Sequence, residues 1–410
     1  MKVLHVTHQY RPAIGGAEQH ITDLSEELAR RGHQVDVFTS RSLDYRTWRN
    51  DLPAYEELDG VRVHRFNGLR RTRLIWRVLS YGSYHYWRTG LPWYEPLILL
   101  GNGPVCPGML FTIARRAGEY DLMHINNLHY AHAWVGHSAA RLGRLPVVIT
   151  PHLHAEQRDT YAVGYMQRIL RGSAAVFADT PAEKRHIVER ELNSEVVLSG
   201  VGMRLDRFPP LSTASSRQRF GLPESGFVIL FLGRKTEYKG LDVCLEAFAT
   251  LRRMGREAYF LAVGPETDFS RNLWARNMHL EGLVVRGEVS CEERLQALAA
   301  SDVLALPSTG EAFGIVFLEA WAYRKPVVGA RIASVSSLVS DGEDGFLIEP
   351  GQSASLVQAL DSLAAHPDMA RAAGEKGRAK VEQRYTVDRV TDIVEGTYAR
   401  VVRRHRTLTG

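Results

Sequence analysis

Short apolar runs and amphipathic segments alternate along most of the chain. Near the N-terminus, residues 3–7 are typical of a buried strand, and a loop with Gly15 and Gly16 follows them. Apolar residues then recur at helical spacing, at Ile21, Leu24, Leu28 and Ala29. Residues 35–39 have the composition of a second strand, after the helix-stopping Gly32. A strand, a glycine loop, a helix and a strand in this order predict a Rossmann-like βαβ opening.

Apolar runs in the rest of the first half predict further strands. They lie at residues 121–126, 145–154, 174–178 and 196–199. The segment at 145–154 ends in His152 and His154. Because open α/β sheets bind ligands at the carboxyl ends of their strands, His152 is a candidate functional residue, although a lone histidine is more often a structural hydrogen-bond donor. Thr180, Pro181 and Glu183 predict a capped helix start.

The second half repeats the alternation after a junction rich in glycine and proline, at residues 200–210. Residues 227–233 are almost continuously apolar, which is the mark of a parallel strand buried on both faces. Similar runs lie at 259–265, 283–287, 302–308, 326–330 and 345–348. The fold class predicted is α/β, with two Rossmann-like, doubly wound parallel-sheet domains that face each other across a cleft.

The predicted domains comprise residues 1–201 and residues 202–385. From Asp361 onward, the spacing of apolar residues is helical. The last predicted helix, residues 386–410, is long enough to cross back to the first domain.

Composition indicates a globular protein with a mildly basic surface. The chain has 410 residues, 45% hydrophobic and 24% charged, with 51 Lys and Arg against 46 Asp and Glu. The net charge of +5 favours anionic ligands or an anionic membrane surface but is weak evidence for nucleic acid, and no nucleic-acid partner is expected. Three cysteines without metal-type spacing argue against a disulfide framework or a zinc site. No signal peptide or spanning segment is predicted, so we expect a cytoplasmic protein whose membrane contact, if any, is peripheral.

Five arginines are interleaved with tryptophans and tyrosines at residues 69–90. This mixture suits an anionic membrane surface or an anionic acceptor. It equally suits an amphipathic helix whose aromatic side is core and whose arginines are solvated. The pattern leaves both interpretations open.

Two segments of the second half carry the strongest candidate chemistry. In residues 307–319, Glu311 precedes a predicted helix that contains Glu319, and the backbone amides of Phe313 and Gly314 lie at the helix start. Carboxylates and free amides together suit a ligand with hydroxyls and negative charge, although a surface loop with solvated glutamates fits as well.

Two glycine loops are candidate phosphate contacts. Arg234 and Lys239 lie on a glycine-flanked loop before a helix, which favours a diphosphate clamp over a solvated basic loop. A plain tight turn explains Gly15 and Gly16 as well as a phosphate contact does. A dinucleotide site is disfavoured, because there is no G-x-G-x-x-G and Thr39 ends the second strand where an acidic residue would be expected.

Taken together, these motifs resemble the retaining glycosyltransferases of family 4, which have the GT-B fold. The resemblance rests on the order and spacing of five segments: residues 12–18, 150–152, 233–240, 307–314 and 319–320. It implies a nucleotide-diphosphate sugar as donor, no cofactor and no metal. The implied donor-binding residues are Gly15, Gly16, Gly233, Arg234, Lys239, Gly264, Glu311, Ala312, Phe313, Gly314, Ile315 and Glu319. The implied catalytic residues are Arg234, Lys239, His152 and Glu311.

The resemblance also implies individual roles. Glu319 would bind the ribose hydroxyls, Glu311 the sugar hydroxyls, and Arg234 with Lys239 the leaving diphosphate. His152 would lie near the transferred sugar, on the acceptor side. Departures from the family pattern, at residues 199–202, 333–334 and 337, put the usual donor-sugar preference and hinge contacts in doubt.

We therefore expect a retaining, metal-independent hexosyltransferase that uses a UDP-sugar first and GDP-mannose second. The acceptor would be a glycan, a lipid-linked or a small molecule, and a cell-surface glycan or glycolipid precursor is favoured. The alternatives are a same-fold sugar-nucleotide-binding protein, an epimerase or phosphorylase-like enzyme, and a NAD-dependent oxidoreductase.

Overall fold

The computed structural model describes residues 1–13, 15–44, 47–153 and 161–409. These residues form two α/β units. The first unit comprises residues 1–153 and 161–202 together with residues 387–409, and the second comprises residues 203–386. The two boundaries lie one residue beyond the predicted positions, 201 and 385.

The first unit is built on an eight-stranded sheet. Its strands are β1 (Lys2–Thr7), β2 (Gln34–Ser40), β3 (Tyr55–Leu58), β4 (Val61–Phe66), β5 (Leu122–Asn126), β6 (Val147–Thr150), β7 (Ala175–Ala178) and β8 (Val196–Leu198). Their order is β3-β4-β2-β1-β5-β6-β7-β8, and all pairs are parallel except β3 with β4. The predicted strands are confirmed, whereas β3 and β4 were not predicted. β4 alternates buried valines with polar residues, and β3 is a polar edge strand, so neither has the continuous apolar run of a central strand.

Helices cover both faces of this sheet. They are α1 (Gly16–Arg30), α2 (Arg73–Thr89), α3 (Glu95–Asn102), α4 (Pro107–Arg116), α5 (Ala131–Leu142), α6 (Gly164–Gly172) and α7 (Pro181–Glu189). Successive residues of β1 point to opposite faces: Val3 packs in a core cluster with Ile21 and Leu24 of α1, and Leu4 packs in a second cluster with Ala133 of α5. This two-sided burial explains why the strand sequences are apolar throughout.

The second unit has a six-stranded, wholly parallel sheet. Its strands are β9 (Phe227–Leu232), β10 (Ala258–Val263), β11 (Leu283–Arg286), β12 (Val303–Leu306), β13 (Val327–Ala330) and β14 (Gly345–Ile348), in the order β11-β10-β9-β12-β13-β14. Its helices are α8 (Thr213–Phe220), α9 (Leu241–Arg253), α10 (Asp268–Asn277), α11 (Cys291–Ala300), α12 (Ile315–Ala322), α13 (Ala333–Leu338), α14 (Ser353–Ala365) and α15 (Pro367–Arg384). Each predicted strand of this half is confirmed.

The C-terminal helix α16 (Val387–Thr409) packs on the first unit. Val390, Val394 and Tyr398 join the core cluster that contains α1. The hydroxyl of Tyr398 lies 2.5 Å from Nδ1 of His124 and 3.2 Å from Nε2 of His5. Burial lowers the pKa of His5 to about 3 and the pKa of His124 well below its ordinary value, so both rings are neutral. The helix is therefore tied to the sheet through uncharged buried groups.

Candidate functional site

The loop after β9 contains the predicted diphosphate-binding residues. Gly233 ends the strand, Arg234 is exposed, and a short 3₁₀ helix at Glu237–Lys239 leads through Gly240 into α9. The Gly233 and Gly264 backbones approach so closely that a Cβ on Gly264 would overlap the carbonyl of Gly233. Gly264 also has a φ of 136°, so both its conformation and its close contact require glycine. The two loops at the carboxyl ends of β9 and β10 are thus packed backbone to backbone.

Lys239 and Glu311 form an ion pair with each other. Nζ of Lys239 lies 2.5 Å from Oε1 of Glu311, and the hydroxyl of Ser308 donates to the same oxygen at 2.9 Å. Both charged side chains are largely buried. The structure thereby brings together two predicted site residues that are 72 positions apart in sequence. Lys239, predicted to bind the phosphate, therefore lies beside Glu311, predicted to bind the sugar, at the carboxyl edge of the sheet.

The start of α12 presents backbone donors, as predicted. Gly314 is the N-cap with a φ of 89°, a conformation that favours glycine, and Ile315 is the first residue of the helix. Within the described part of the chain, no group accepts a hydrogen bond from the N–H of Phe313 or of Gly314. The Phe313 ring is buried 5.6 Å from that of Tyr385, and Ala312 lies beside it in the loop. The helix N-terminus is therefore a rigid, ready-made site for an anion or a hydroxyl.

Glu319 is held by an arginine that was not predicted. Glu319 lies inside α12 and is buried, and Arg294 of α11 donates to its Oε2 at 2.5 Å. Burial raises the pKa of Glu319, and the Arg294 guanidinium opposes that rise. Arg294 is half-buried, and its guanidinium favours the charged form of this buried carboxylate. Ser290 and Glu293, which form a capping box at the start of α11, support the position of Arg294.

Lys235 is the second residue of this edge that sequence reasoning missed. Its side chain is fully buried, pairs with Glu266 and donates to the carbonyl of Arg286 at 2.6 Å. Burial lowers the pKa of Lys235, and Glu266 opposes the change. Glu266 also accepts hydrogen bonds from Ser270 and Trp274 of α10. Lys235 therefore connects the loops after β9 and β10 to the end of β11, and its neighbour Arg234 is exposed.

In the first unit, the glycine loop lies at the start of α1. Gly15 is the N-cap in an extended conformation, and Gly16 is the first helical residue. A Cβ on Gly15 would overlap the carboxylate of Glu18, which itself lies 2.8 Å from Nε2 of His8. The loop is thus as tight as the plain-turn interpretation required. Contact of Gly15 and Gly16 with a donor phosphate remains a prediction.

His152 follows β6 and is held on both sides. Its Nδ1 lies 2.6 Å from Oδ2 of Asp179, and its Nε2 lies 2.9 Å from Oδ1 of Asn126. The amide nitrogen of Asn126 donates to the carbonyl of Ala17 at 3.1 Å, which turns Oδ1 toward the histidine. Both ring nitrogens therefore lie within hydrogen-bond distance of a side-chain oxygen, which fixes the ring between Asp179 and Asn126. The role of His152 beside the transferred sugar stays a prediction.

A buried carboxylate fixes the turn that contains His152. Thr180 accepts from the N–H of Glu183 as predicted, but the Glu183 side chain accepts from the backbone N–H of Leu153 and of Asp179, both at 2.7 Å. Burial and the nearby Asp179 raise the pKa of Glu183 well above its ordinary value. His152 itself has a φ of 54°, a left-handed conformation that is costly for a residue with a Cβ. The turn is therefore held in place by its surroundings.

The structure decides against one of the two interpretations of the aromatic and basic residues 69–90. In α2 only Gly82 and Tyr86 are buried, so the version in which the aromatic side is core is wrong. The exposed large side chains are Leu69, Leu74, Trp76, Tyr81, Tyr84, Trp87 and Trp93. They lie with the arginines of the same stretch on an uncovered face of the unit.

Among the described residues, the candidates for a membrane span are limited to one bent helix pair, and no metal-binding cluster is present. No single helix there is both long and apolar enough to cross a bilayer, while one pair, Pro92–Asn102 and Pro107–Glu119, bent by 99°, passes by length and composition alone. No group of three His, Cys, Asp or Glu in those residues has a geometry that could hold a metal ion.

Two family models match the chain, one for each half. The model described as "Glycosyl transferase 4-like domain" matches residues 15–199, and the model described as "Glycosyl transferases group 1" matches residues 212–380. The chain is also similar to enzymes named D-inositol 3-phosphate glycosyltransferase. That of Arthrobacter sp. (strain FB24) is 28% identical over 403 residues, covering 90% of this chain and 88% of the relative. That of Kineococcus radiotolerans is 29% identical over 413 residues, covering 90% and 86%.

Solved structures show the same fold along the chain. Sucrose-phosphate synthase from Thermosynechococcus elongatus has a TM-score of 0.76 at 20% identity, over 98% of this chain and 99% of that one. Anabaena HepE in complex with UDP-glucose has a TM-score of 0.73 at 21% identity, over 97% and 100%. WaaG, a glycosyltransferase of lipopolysaccharide biosynthesis, has a TM-score of 0.65 at 19% identity, over 96% and 100%.

Proposed function

The chain belongs to the family 4 glycosyltransferases with the GT-B fold, and on this premise we propose that it is a retaining hexosyltransferase. It moves a hexosyl unit from a nucleotide-diphosphate sugar to a hydroxyl of the acceptor. A UDP-sugar is the favoured donor and GDP-mannose the second. The HepE structure named above holds UDP-glucose, which supports a uridine nucleotide.

One observation carries the proposal: the carboxyl edge of the second sheet holds cations, carboxylates and backbone donors together. Lys239 pairs with Glu311, Arg294 pairs with Glu319, and the amides of Phe313 and Gly314 have no described acceptor. A nucleotide sugar offers the complementary groups, which are a diphosphate, ribose hydroxyls and sugar hydroxyls.

We expect the donor to exchange partners at the Lys239–Glu311 pair. The diphosphate takes the Lys239 ammonium, which frees Glu311 to accept hydrogen bonds from the donor sugar. Ser308 continues to hold Glu311 in place. Glu319, kept charged by Arg294, accepts from the ribose hydroxyls.

Transfer proceeds on one face of the sugar. The bond between the anomeric carbon and the diphosphate oxygen breaks, and the acceptor oxygen forms its bond to that carbon from the same side. The acceptor proton passes to the departing phosphate. Arg234, Lys239 and the α12 N-terminus stabilise the charge that develops on the diphosphate, which is the role that fixed cations can fill without a metal ion.

The first unit is assigned to the acceptor, in the direction of cell-surface glycan or glycolipid biosynthesis. Its candidate regions are the turn at His152 and the stretch 69–94. We place the enzyme in the cytoplasm, with peripheral contact to an anionic membrane. The relatives named above act, by their names, on an inositol phosphate, which keeps a small-molecule acceptor within the proposal.

The experiment is a thermal-shift screen across UDP-, GDP- and ADP-sugars, followed by NMR of the product released from the best donor. A true donor stabilises the folded protein, by about 3 kcal/mol at a hundredfold excess over Kd. Slow hydrolysis of that donor to the sugar with its original anomeric configuration supports a retaining transferase. Stabilisation without any hydrolysis or transfer indicates a sugar-nucleotide-binding protein, and an inverted product contradicts the same-face mechanism.

A further inference from the structure

Residues 69–94 of the first unit form an exposed aromatic and basic surface, here called the α2 surface. It consists of α2, the residues before it and the 3₁₀ helix Pro92–Tyr94. Of the described residues of the chain, 19 are large, hydrophobic and exposed, and seven of these lie between Leu69 and Trp93. Tyr81 and Tyr84 are 55% and 57% exposed, and Leu74 and Trp93 are each 69% exposed. Single exposed apolar residues are ordinary, but this concentration is not.

The exposed residues of α2 share one side of the helix with arginines. Leu74, Arg77, Tyr81, Tyr84 and Arg88 recur three or four positions apart. Residues at that spacing line one side of an α-helix. The opposite side is the one that carries the buried Gly82 and Tyr86, where a Cβ on Gly82 would come 2.7 Å from Cβ of Leu97 in α3. The helix is therefore fixed to the unit by its glycine side and presents its mixed side outward.

The charge of the α2 surface has one sign. Residues 69–94 include five arginines and no aspartate or glutamate. Arg70, Arg73 and Arg77 have no ion-pair partner among the described residues. Arg71 is used internally, since its guanidinium lies 4.2 Å over the ring of Trp76 and donates to the carbonyl of Gly101. Arg88 donates to the hydroxyl of Tyr84 at 2.6 Å. At least three arginines are thus available to an external anion.

We propose that the α2 surface docks on an anionic lipid bilayer. Exposed tryptophan and tyrosine side chains fit the boundary between lipid headgroups and acyl chains, where one end of each ring is apolar and the other is wet. Unpaired arginines fit the negative potential of anionic headgroups. A polyanion such as nucleic acid or an acidic glycan would satisfy the arginines but would leave Leu74 and Trp93 exposed. The bilayer is the partner that accounts for both parts of the surface.

The proposed function gives the enzyme a reason to reach a membrane, because a lipid-linked acceptor lies there. The membrane proposal rests on the proposed function in this respect only. It assigns the contact to named residues and to a mode, which is partial insertion of aromatic rings with electrostatic attraction. The binding itself needs neither donor nor acceptor. Its failure is therefore distinguishable from failure of the glycosyltransferase proposal.

The test is co-sedimentation of the full chain with vesicles of phosphatidylcholine, with or without phosphatidylglycerol. We expect binding to the anionic vesicles, weakened by raised salt, and little binding to the neutral ones. The variant Arg73→Ser, Leu74→Ser, Arg77→Ser should lower the partition coefficient on the order of tenfold or more, from the loss of two arginines alone. The matched control is Arg141→Ser, Leu142→Ser, Arg144→Ser, which removes the same side chains from another exposed part of the same unit.

A second variant separates a bilayer from a soluble polyanion. Tyr81→Ser, Tyr84→Ser keeps every arginine, so it should weaken binding to anionic vesicles several-fold and leave binding to heparin unchanged. The thermal midpoint of each variant, measured without vesicles, reports whether it is folded. Equal binding of neutral and anionic vesicles, equal loss in the matched control, or heparin binding that outcompetes vesicles with no effect of the tyrosines would each overturn the proposal.

Discussion

The charged side chains at the carboxyl edges of the two sheets differ in their partners and in their exposure. At the edge of the second sheet, Lys239 pairs with Glu311 and Arg294 pairs with Glu319. In each pair at least one member keeps some exposure, and free backbone donors lie nearby. At the edge of the first sheet, His152 is enclosed between Asp179 and Asn126. The first set of contacts can be exchanged for a ligand, whereas the second has no remaining ring nitrogen to offer.

The difference assigns distinct tasks to the two edges. Exchangeable ion pairs cost little to break when a ligand supplies an equivalent charge, so they suit recognition of a substrate that comes and goes. A buried, fully bonded histidine on a left-handed backbone position suits the holding of a shape. Variants at the second edge should therefore act on donor kinetics, and variants at the first edge should act mainly on the stability of the unit and on the geometry of transfer.

The largest effect is expected from Lys239→Met. It removes a cation from the leaving diphosphate, so kcat should fall by about 10² to 10³. Steady-state kinetics with the cognate donor measure the loss, and Lys376→Met, which removes an exposed lysine of the same unit, is the control. Because Lys239→Met leaves Glu311 buried without its cation, the double variant Lys239→Met, Glu311→Gln should recover stability but not turnover. Turnover within a few-fold of wild type would contradict the role of Lys239.

Most candidate residues at the carboxyl edge of the second sheet could be named from the sequence, whereas at the first sheet the partner that holds His152 could not. Glu311, Gly314 and Glu319 lie in one continuous motif, and Gly233 and Lys239 lie in another, so local spacing was enough to name them. Arg294 and Asp179 act through partners 25 and 27 positions away on other elements, and nothing in their own surroundings distinguishes them from solvated charges. Arg234 and Lys235 are adjacent cations of which one is exposed and the other buried, a distinction that only tertiary packing makes.

The side of α2 that packs on the unit could not be predicted from the sequence either. The periodicity of α2 indicates two dissimilar sides, but it does not say which side the rest of the unit covers. The glycine side is covered because Gly82 and Gly101 allow α2 and α3 to pack closely. The strands β3 and β4 were missed for a related reason, since an edge strand needs no continuous apolar run.

Asp179→Asn tests whether the first edge is a fixed one. The change removes the carboxylate that pairs with His152, so the ring loses a partner that fixes its orientation. We expect the free energy of unfolding to fall by about 1–3 kcal/mol and kcat to fall by about tenfold, as is reasonable for a misplaced group near the reaction. The thermal shift induced by a saturating donor should be unchanged. A loss of donor-induced stabilisation as large as in Lys239→Met would abolish the distinction between the two edges.

Arg294→Met sharpens the comparison through pH. Burial already raises the pKa of Glu319, and without the guanidinium this pKa should rise further. Only the charged form accepts hydrogen bonds from both ribose hydroxyls, so acidification should weaken donor binding, and in the variant this should begin at higher pH. We expect KM for the donor to rise about tenfold near pH 6 and by less near pH 8.

The Glu319→Gln variant is the control for that experiment. It cannot ionise, so its raised KM should not vary with pH across the same range. If KM of Arg294→Met were raised equally at both pH values, Arg294 would act on the nucleotide directly instead of through the charge of Glu319.

The smallest effect is expected from Tyr398→Phe in α16, which removes one hydroxyl from between His5 and His124. The lost hydrogen bonds should cost about 1–2 kcal/mol, or about 2–8 °C in the thermal midpoint of a unit of this size, with donor kinetics unchanged. The pKa of His5 is lowered to about 3 from an ordinary value of 6.5, so the unfolded chain takes up a proton between these values that the folded chain does not. Stability should therefore fall as pH falls through this window, in wild type and variant alike. If the donor KM of this variant changed while its thermal midpoint did not, the buried residues around Tyr398 would take part in donor recognition.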